Sequence, residues 1–183
     1  MEYRKTIRLR DGRACCLRNG TEQDGPAVLE NFLLTHAQTD YLLSYPDECT
    51  MTAAQEAQFL KEKTESPDEI ELLAEVEGRV VGTAGIGRVG AAFKVRHRAE
   101  FGVSIDRACW GLGIGRALTQ ACIECARAAG YAQLELSVVA ENETALALYR
   151  SVGFEECGRD PRGFRSRLSG WQELISMRLE LDG

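Results

Sequence analysis

Three glycines at alternate positions mark the stretch Trp110-Gly111-Leu112-Gly113-Ile114-Gly115-Arg116, which follows the run Phe101-Gly-Val-Ser-Ile105 and leads into a helical pattern. Where a strand hands over to a helix, such glycines leave backbone N–H groups uncovered beside the positive end of the helix, and that arrangement holds an anion. A dinucleotide fingerprint would need glycine where Arg116 stands, and a P-loop would need a Gly-Lys-Ser/Thr triplet that does not follow. Further on, Asn142 and Tyr149 lie seven positions apart. On one helix that is about two turns, so both would project from one face within roughly 20° and line one groove.

The glycine stretch continues into Asn142, Ala145, Leu148, Tyr149 and Gly153-Phe154 after one helix and one strand. In this combination the chain resembles the coenzyme A site of the GCN5-related N-acetyltransferase (GNAT) family over roughly residues 70 to 156. One departure is Trp110, where the family commonly carries Arg or Gln. The resemblance implies acetyl-CoA as co-substrate. It places the diphosphate on amides from Gly111 through Leu112, Gly113, Ile114, Gly115 and Arg116, and the pantetheine arm along main-chain groups of Val103 and Ile105 and the Asn142 amide. It gives Tyr149 the role of protonating the departing thiolate, which a phenol with pKa about 10 can do when positioned.

An acceptor amine is mostly protonated at neutral pH and needs a base. Glu100, at the head of the strand, is the candidate, and His97 is its rival. The implied reaction is direct acetyl transfer in a ternary complex to a primary amine of a small molecule or peptide. Two alternatives stand beside it: a ping-pong route through Cys109, near the helix N-terminus, and a non-catalytic acyl-CoA-binding module that regulates a partner. Arg96, Arg98, Arg159, Arg162, Arg165 and Arg167 suggest an acceptor bearing a carboxylate or phosphate, local pairing with glutamates, or contact with the coenzyme's phosphates; the acidic segment Glu69 to Glu77 suggests a cationic acceptor.

Composition is consistent with an enzyme of this kind. At 183 residues, 44% apolar and 27% charged, the chain is expected to form one domain, residues 1–183. A net charge of −6 argues against nucleic acid as partner. The absence of a long apolar run argues against a membrane span, and a cytoplasmic location is expected. Seven cysteines without framework spacing read as reduced thiols, and Cys122-x-x-Cys125, inside a helical pattern, reads as core and not as a metal site. No metal is called for.

Elements that would position these groups follow from periodicity. Asp11-Gly12 predicts a two-residue hairpin, residues 22–36 a helix, 37–50 an aromatic loop that in the family covers the acceptor, and 52–63 a second helix. Alternation of Ile70, Leu72, Ala74 and Val76 with Glu69, Glu71 and Glu75 predicts a half-buried strand. Gly82, Gly85 and Gly87 in the next strand predict a bulge or a close approach. Two tail strands are expected around an Arg-rich loop, with the strand at Trp171 as a candidate edge for a homodimer. Interleaved helices and strands make an α/β fold around a mixed sheet. By resemblance the sheet is mostly antiparallel, with helices on both faces and splayed strands forming the acetyl-CoA slot.

Overall fold

A computed structural model describes residues 1–181. Eight strands form one sheet: β1 (Arg4–Arg8), β2 (Ala14–Asn19), β3 (Ile70–Val76), β4 (Arg79–Arg88), β5 (Arg98–Ile105), β6 (Gln133–Val139), β7 (Glu155–Ser166) and β8 (Gly170–Glu180). Their order is β1-β2-β3-β4-β5-β6-β8-β7. Every neighbouring pair is antiparallel except β5 and β6. The α/β, mostly antiparallel architecture inferred from sequence is the observed one.

Four α-helices cover the sheet: α1 (Gly25–Gln38), α2 (Ala53–Glu65), α3 (Ile114–Ala128) and α4 (Glu143–Ser151). Ile114, Leu118, Ala121, Cys122 and Cys125 of α3 join Leu146 and Tyr149 of α4 in one core with Ile70, Leu72, Ala84, Ile86, Phe101 and Leu136. On the other face, Val28 and Leu60 of α1 and α2 pack with Leu73 and Val80. Alternation along β3 therefore splits its side chains between two helical layers, so Glu71 and Glu75 point toward the α1/α2 layer instead of into bulk water. Thr52 caps α2 by accepting from the Gln55 amide at 3.3 Å, while the Gln55 side chain accepts from the Thr52 amide at 2.9 Å, a reciprocal capping box.

Several local expectations are corrected. The first hairpin closes at Leu9 and Arg13, whose backbone bond is 2.8 Å. Gly12 at φ 90 supplies the left-handed residue of a longer turn than Asp11-Gly12 alone would make. The Arg-rich segment lies within β7, which shifts register between Glu156/Gly158 and Asp160/Phe164, and only residues 167–169 connect it to β8. β8 pairs with β6 on one side and β7 on the other, so the strand at Trp171 offers no free edge; the edge strands are β1 and β7. The glycines of β4 do both things expected of them: register shifts opposite Ala74/Glu75, and Glu71 approaches Gly85 closely.

Candidate active site

β5 and β6 pair only through Arg98↔Gln133, Ala99↔Leu134 and Glu100↔Glu135. Beyond Glu100, β5 keeps bonding β4 up to Ile105, and β6 keeps bonding β8 up to Val139, so the two strands part and leave a slot between them. Bonds from Val89 N to Arg98 O (3.1 Å) and from Asp106 N to Val81 O (2.8 Å) set the phase of the β4–β5 ladder. Arg98, Glu100, Gly102 and Ser104 therefore spend their main-chain groups on β4, and Val103 and Ile105 turn theirs toward the slot. The Ile105 carbonyl is already taken by Trp110 Nε1 at 2.8 Å, leaving the Ile105 N–H and both groups of Val103.

At the open end of the slot stands the glycine loop. Gly111 (φ 76) and Gly113 (φ 99) are both left-handed, and a methyl group on either would meet nothing within 4 Å. Gly113 is the N-cap of α3 and makes no side-chain cap bond. Among the described residues, no group accepts a hydrogen bond from the amides of Gly111, Leu112, Gly113, Ile114, Gly115 or Arg116. These are the orphan donors of a helix start, gathered on an uncovered surface. The first hairpin braces the loop from behind: Arg10 N donates to Leu112 O at 3.2 Å and Arg10 Nη1 to Gly111 O at 3.0 Å. The Arg116 side chain turns away to Ser151 Oγ at 2.7 Å.

Asp106, which sequence reasoning missed, fixes the turn out of β5. It is 2% exposed and accepts from Gln38 Nε2 (3.0 Å), Ala108 N (3.1 Å) and Arg79 Nη2 (2.8 Å). Burial alone would raise its pKa, but these donors hold it below the usual carboxylate range. The available signal was a short acidic side chain two residues before an amide that needed a partner.

At the closed end, Tyr149 is buried between Phe101 (centroids 6.1 Å apart, edge-on) and Phe154 (5.9 Å). Burial pushes its hydroxyl pKa up to about 12, and among the described residues the hydroxyl has no hydrogen-bond partner. A phenol held this way keeps its proton at neutral pH, with no internal acceptor for it among the described residues. Asn142 does not share a helical face with Tyr149 as its spacing implied. It is the N-cap of α4, with φ −81 and ψ 64, and its Oδ1 accepts from Ala145 N at 3.2 Å. Only its Nδ2 remains to donate.

The proposed bases separate. Glu100 is exposed and sits on the last β5–β6 pair, at the vertex of the slot. His97 lies in the β4–β5 connection, lining a shallow cavity of about 410 Å³ with Lys94, Glu135 and Arg178. Cys109 is 6% exposed, and burial, assisted by Asp106, raises its thiol pKa, the opposite of an activated thiolate. Most of the arginines are locally paired: Arg98 with Glu135, Arg159 with Glu156 and Glu173, and Arg167 with Asp47 and Glu48. Arg162 and Arg165 lie over the Trp171 ring and Arg96 over Phe93.

The aromatic loop between α1 and α2 is stitched to the β7–β8 connection. Asp40 accepts from Ser166 Oγ (2.6 Å), Ser169 Oγ (3.0 Å) and Tyr45 OH (3.0 Å), and Arg167 stacks over Tyr45 at 4.3 Å.

A splayed parallel pair, a donor-lined glycine loop at its mouth and a phenol at its vertex agree with a family-model match. The model described as the acetyltransferase (GNAT) family matches residues 33–154. The chain belongs to the GNAT family. The N-alpha-acetyltransferase RimI of Mycobacterium tuberculosis is 40% identical over 88 residues, 48% of this chain and 53% of that protein, so the chain spans about half the length of that relative. Among solved structures, the ribosomal-protein-alanine N-acetyltransferase of Brucella melitensis is 32% identical with a TM-score of 0.79, covering 90% of this chain and 99% of that one. The yncA protein of Salmonella typhimurium, solved with its cofactor acetyl-CoA, shares the fold at a TM-score of 0.80 and 23% identity, covering 92% and 94%. No helix among the described residues is long and apolar enough to cross a membrane.

Proposed function

We propose that this GNAT chain is an acetyl-CoA-dependent N-acetyltransferase that passes the acetyl group directly to a primary amine of a small molecule or peptide. The observation that carries it is the parting of β5 and β6 after Glu100 and Glu135, with unsatisfied amides at one end of the gap and the Tyr149 hydroxyl at the other. Pantetheine fits the slot as a missing strand, bonding Val103 and the Ile105 N–H, with Asn142 Nδ2 as a further donor. The diphosphate takes the amides from Gly111 to Arg116. An N–H of the slot faces the thioester oxygen as it gains charge, a kind of contact worth a few kcal/mol.

Glu100 takes a proton from the acceptor ammonium, directly or through water. The amine nitrogen then attacks the thioester carbon and the C–S bond breaks; Tyr149 protonates the sulfur, and the second proton of the new amide nitrogen passes through water to restore the Tyr149 hydroxyl. The phenol still carries its proton at neutral pH, as the last step requires, and a pure binding module has no use for it. A cytoplasmic location and a single domain over residues 1–183 belong to the same proposal. The test is thiol release from acetyl-CoA in the presence of primary-amine panels: turnover with at least one amine is expected, and acetyl-CoA binding without turnover on any of them would favour the regulatory module.

A further inference from the structure

The α1/α2 face of the sheet carries carboxylates that the transfer chemistry does not use. Register aligns Glu71 of β3, Gly85 of β4 and Gly102 of β5 in one row running to the slot. The Glu71 side chain leans along this row: a methyl at Gly85 would run into its Oε2. Gly102 is exposed, and a methyl there would meet nothing within 4 Å, so the floor from the Glu71 carboxylate to the slot is bare backbone.

Glu56 on α2 faces the same place. It is 8% exposed, and among the described residues its carboxylate has neither a hydrogen bond nor an ion pair. Its charge acts on Glu71 and burial raises its own pKa. The cation nearby, Lys63, is bound to Glu69 at 3.3 Å and only partly offsets the pair. Burial pushes the Glu71 carboxyl up to about 7, with Glu56 adding to the rise and Lys63 and Thr83 opposing it. A buried residue whose carboxylate has no partner, as Glu56 is, is expensive and marks a place where a ligand supplies the missing charge, with the half-buried Glu71 beside it.

We infer that Glu71 and Glu56 form a subsite for a second cationic group of the acceptor, so that the acceptor class is a diamine or an amine bearing a nearby ammonium or guanidinium. The inference rests on the proposed transferase function, since the slot beside Gly102 is where the reacting amine lies. One strand spacing is about 4.8 Å. A cation beside the Glu71 oxygen at Gly85 and a reacting nitrogen over Gly102 are thus a little more than one strand spacing apart, a separation that a diamine of about three to four carbons spans.

The experiment uses the full chain saturated with coenzyme A and titrates 1,4-diaminobutane and 1-aminobutane by calorimetry, for the natural protein and for Glu71→Gln, which keeps the side chain's shape. The diamine is expected to bind at least tenfold more tightly than the monoamine, and Glu71→Gln to bring the two within twofold. Equal affinities in the natural protein, no diamine binding, or a preference that survives Glu71→Gln would overturn the subsite. Thiol release with acetyl-CoA and the same diamine is read separately. A protein that prefers the diamine but releases no thiol supports the subsite and counts against the transferase function.

Discussion

Glu100 of β5 and Glu135 of β6 are the last pair that joins these two parallel strands. From that point β5 bonds only β4 and β6 bonds only β8, and the gap between them is lined by main-chain groups of Val103 and the Ile105 N–H, which have nothing to bond. A sheet with a seam of this kind gives up hydrogen bonds that a continuous sheet would keep. A ligand with an extended amide backbone would restore them, which is the physical basis of the proposed donor site.

The glycine loop depends on backbone conformation at Gly113. An L-residue at φ 99 costs about 1–2 kcal/mol. Gly113→Ala is therefore expected to lower unfolding free energy by about that much and, by re-aiming the orphan amides, to weaken acetyl-CoA binding at least about tenfold, about 1.4 kcal/mol. Denaturant melts and calorimetry measure the two effects; unchanged affinity would show that the loop is not the diphosphate site.

Tyr149→Phe removes one oxygen that has no protein partner. Stability should change by no more than about 0.5 kcal/mol and acetyl-CoA affinity little, while turnover falls about 10²- to 10⁴-fold. Because the hydroxyl pKa lies at about 12, no descending limb below pH 10 should come from this residue. A pH–rate profile with a Tyr149-dependent loss near pH 8 would contradict that.

Asn142 has two duties that substitutions separate. Asn142→Ala loses the α4 cap, worth about 1 kcal/mol, as well as the Nδ2 donor. Asn142→Asp keeps a capping oxygen, loses the donor and adds a negative charge. Thermal melts should therefore rank Asp near the natural protein and Ala below it, while both weaken acetyl-CoA binding. Full affinity in the Asp variant would remove Asn142 from the donor site.

How much of this was legible beforehand divides along physical lines. Strand alternation in 70–76 and the helical stripe Ile114, Leu118, Ala121, Cys122, Cys125 were readable because burial on one face imposes a period. The glycine spacing gave the loop. The splay was implied only by resemblance, since no residue type encodes the absence of pairing. Asn142 was misplaced because spacing alone cannot tell a cap from a helical residue; one further turn of φ/ψ decides it. Glu71 looked like the wet side of a half-buried strand, and only the sheet order, with β2 and β4 flanking it and α2 above, shows otherwise. Asp106 and the Arg10 brace arise from contacts between segments distant in the chain, which local pattern does not carry.

Glu71 also sets a stability trend with pH. Its folded pKa, about 7, lies above the ordinary carboxyl value of 4.5, so the folded protein holds this proton more tightly than the unfolded chain. The group's cost is absent below about pH 4.5, grows as pH rises, and is complete above 7. Glu71→Gln should therefore melt near the natural protein at pH 4.5 and higher at pH 8, by at most about 3 kcal/mol. Equal melting temperatures at pH 8 would mean that the carboxylate is better solvated than its surroundings imply.

Titration of the purified chain with acetyl-CoA, followed by calorimetry, bears most directly on the account. One molecule per chain should bind saturably, with a dissociation constant within about 1 μM to 1 mM, in both the natural protein and Tyr149→Phe. An absence of binding heat over that range, or saturation that is untouched by Gly113→Ala, would contradict it.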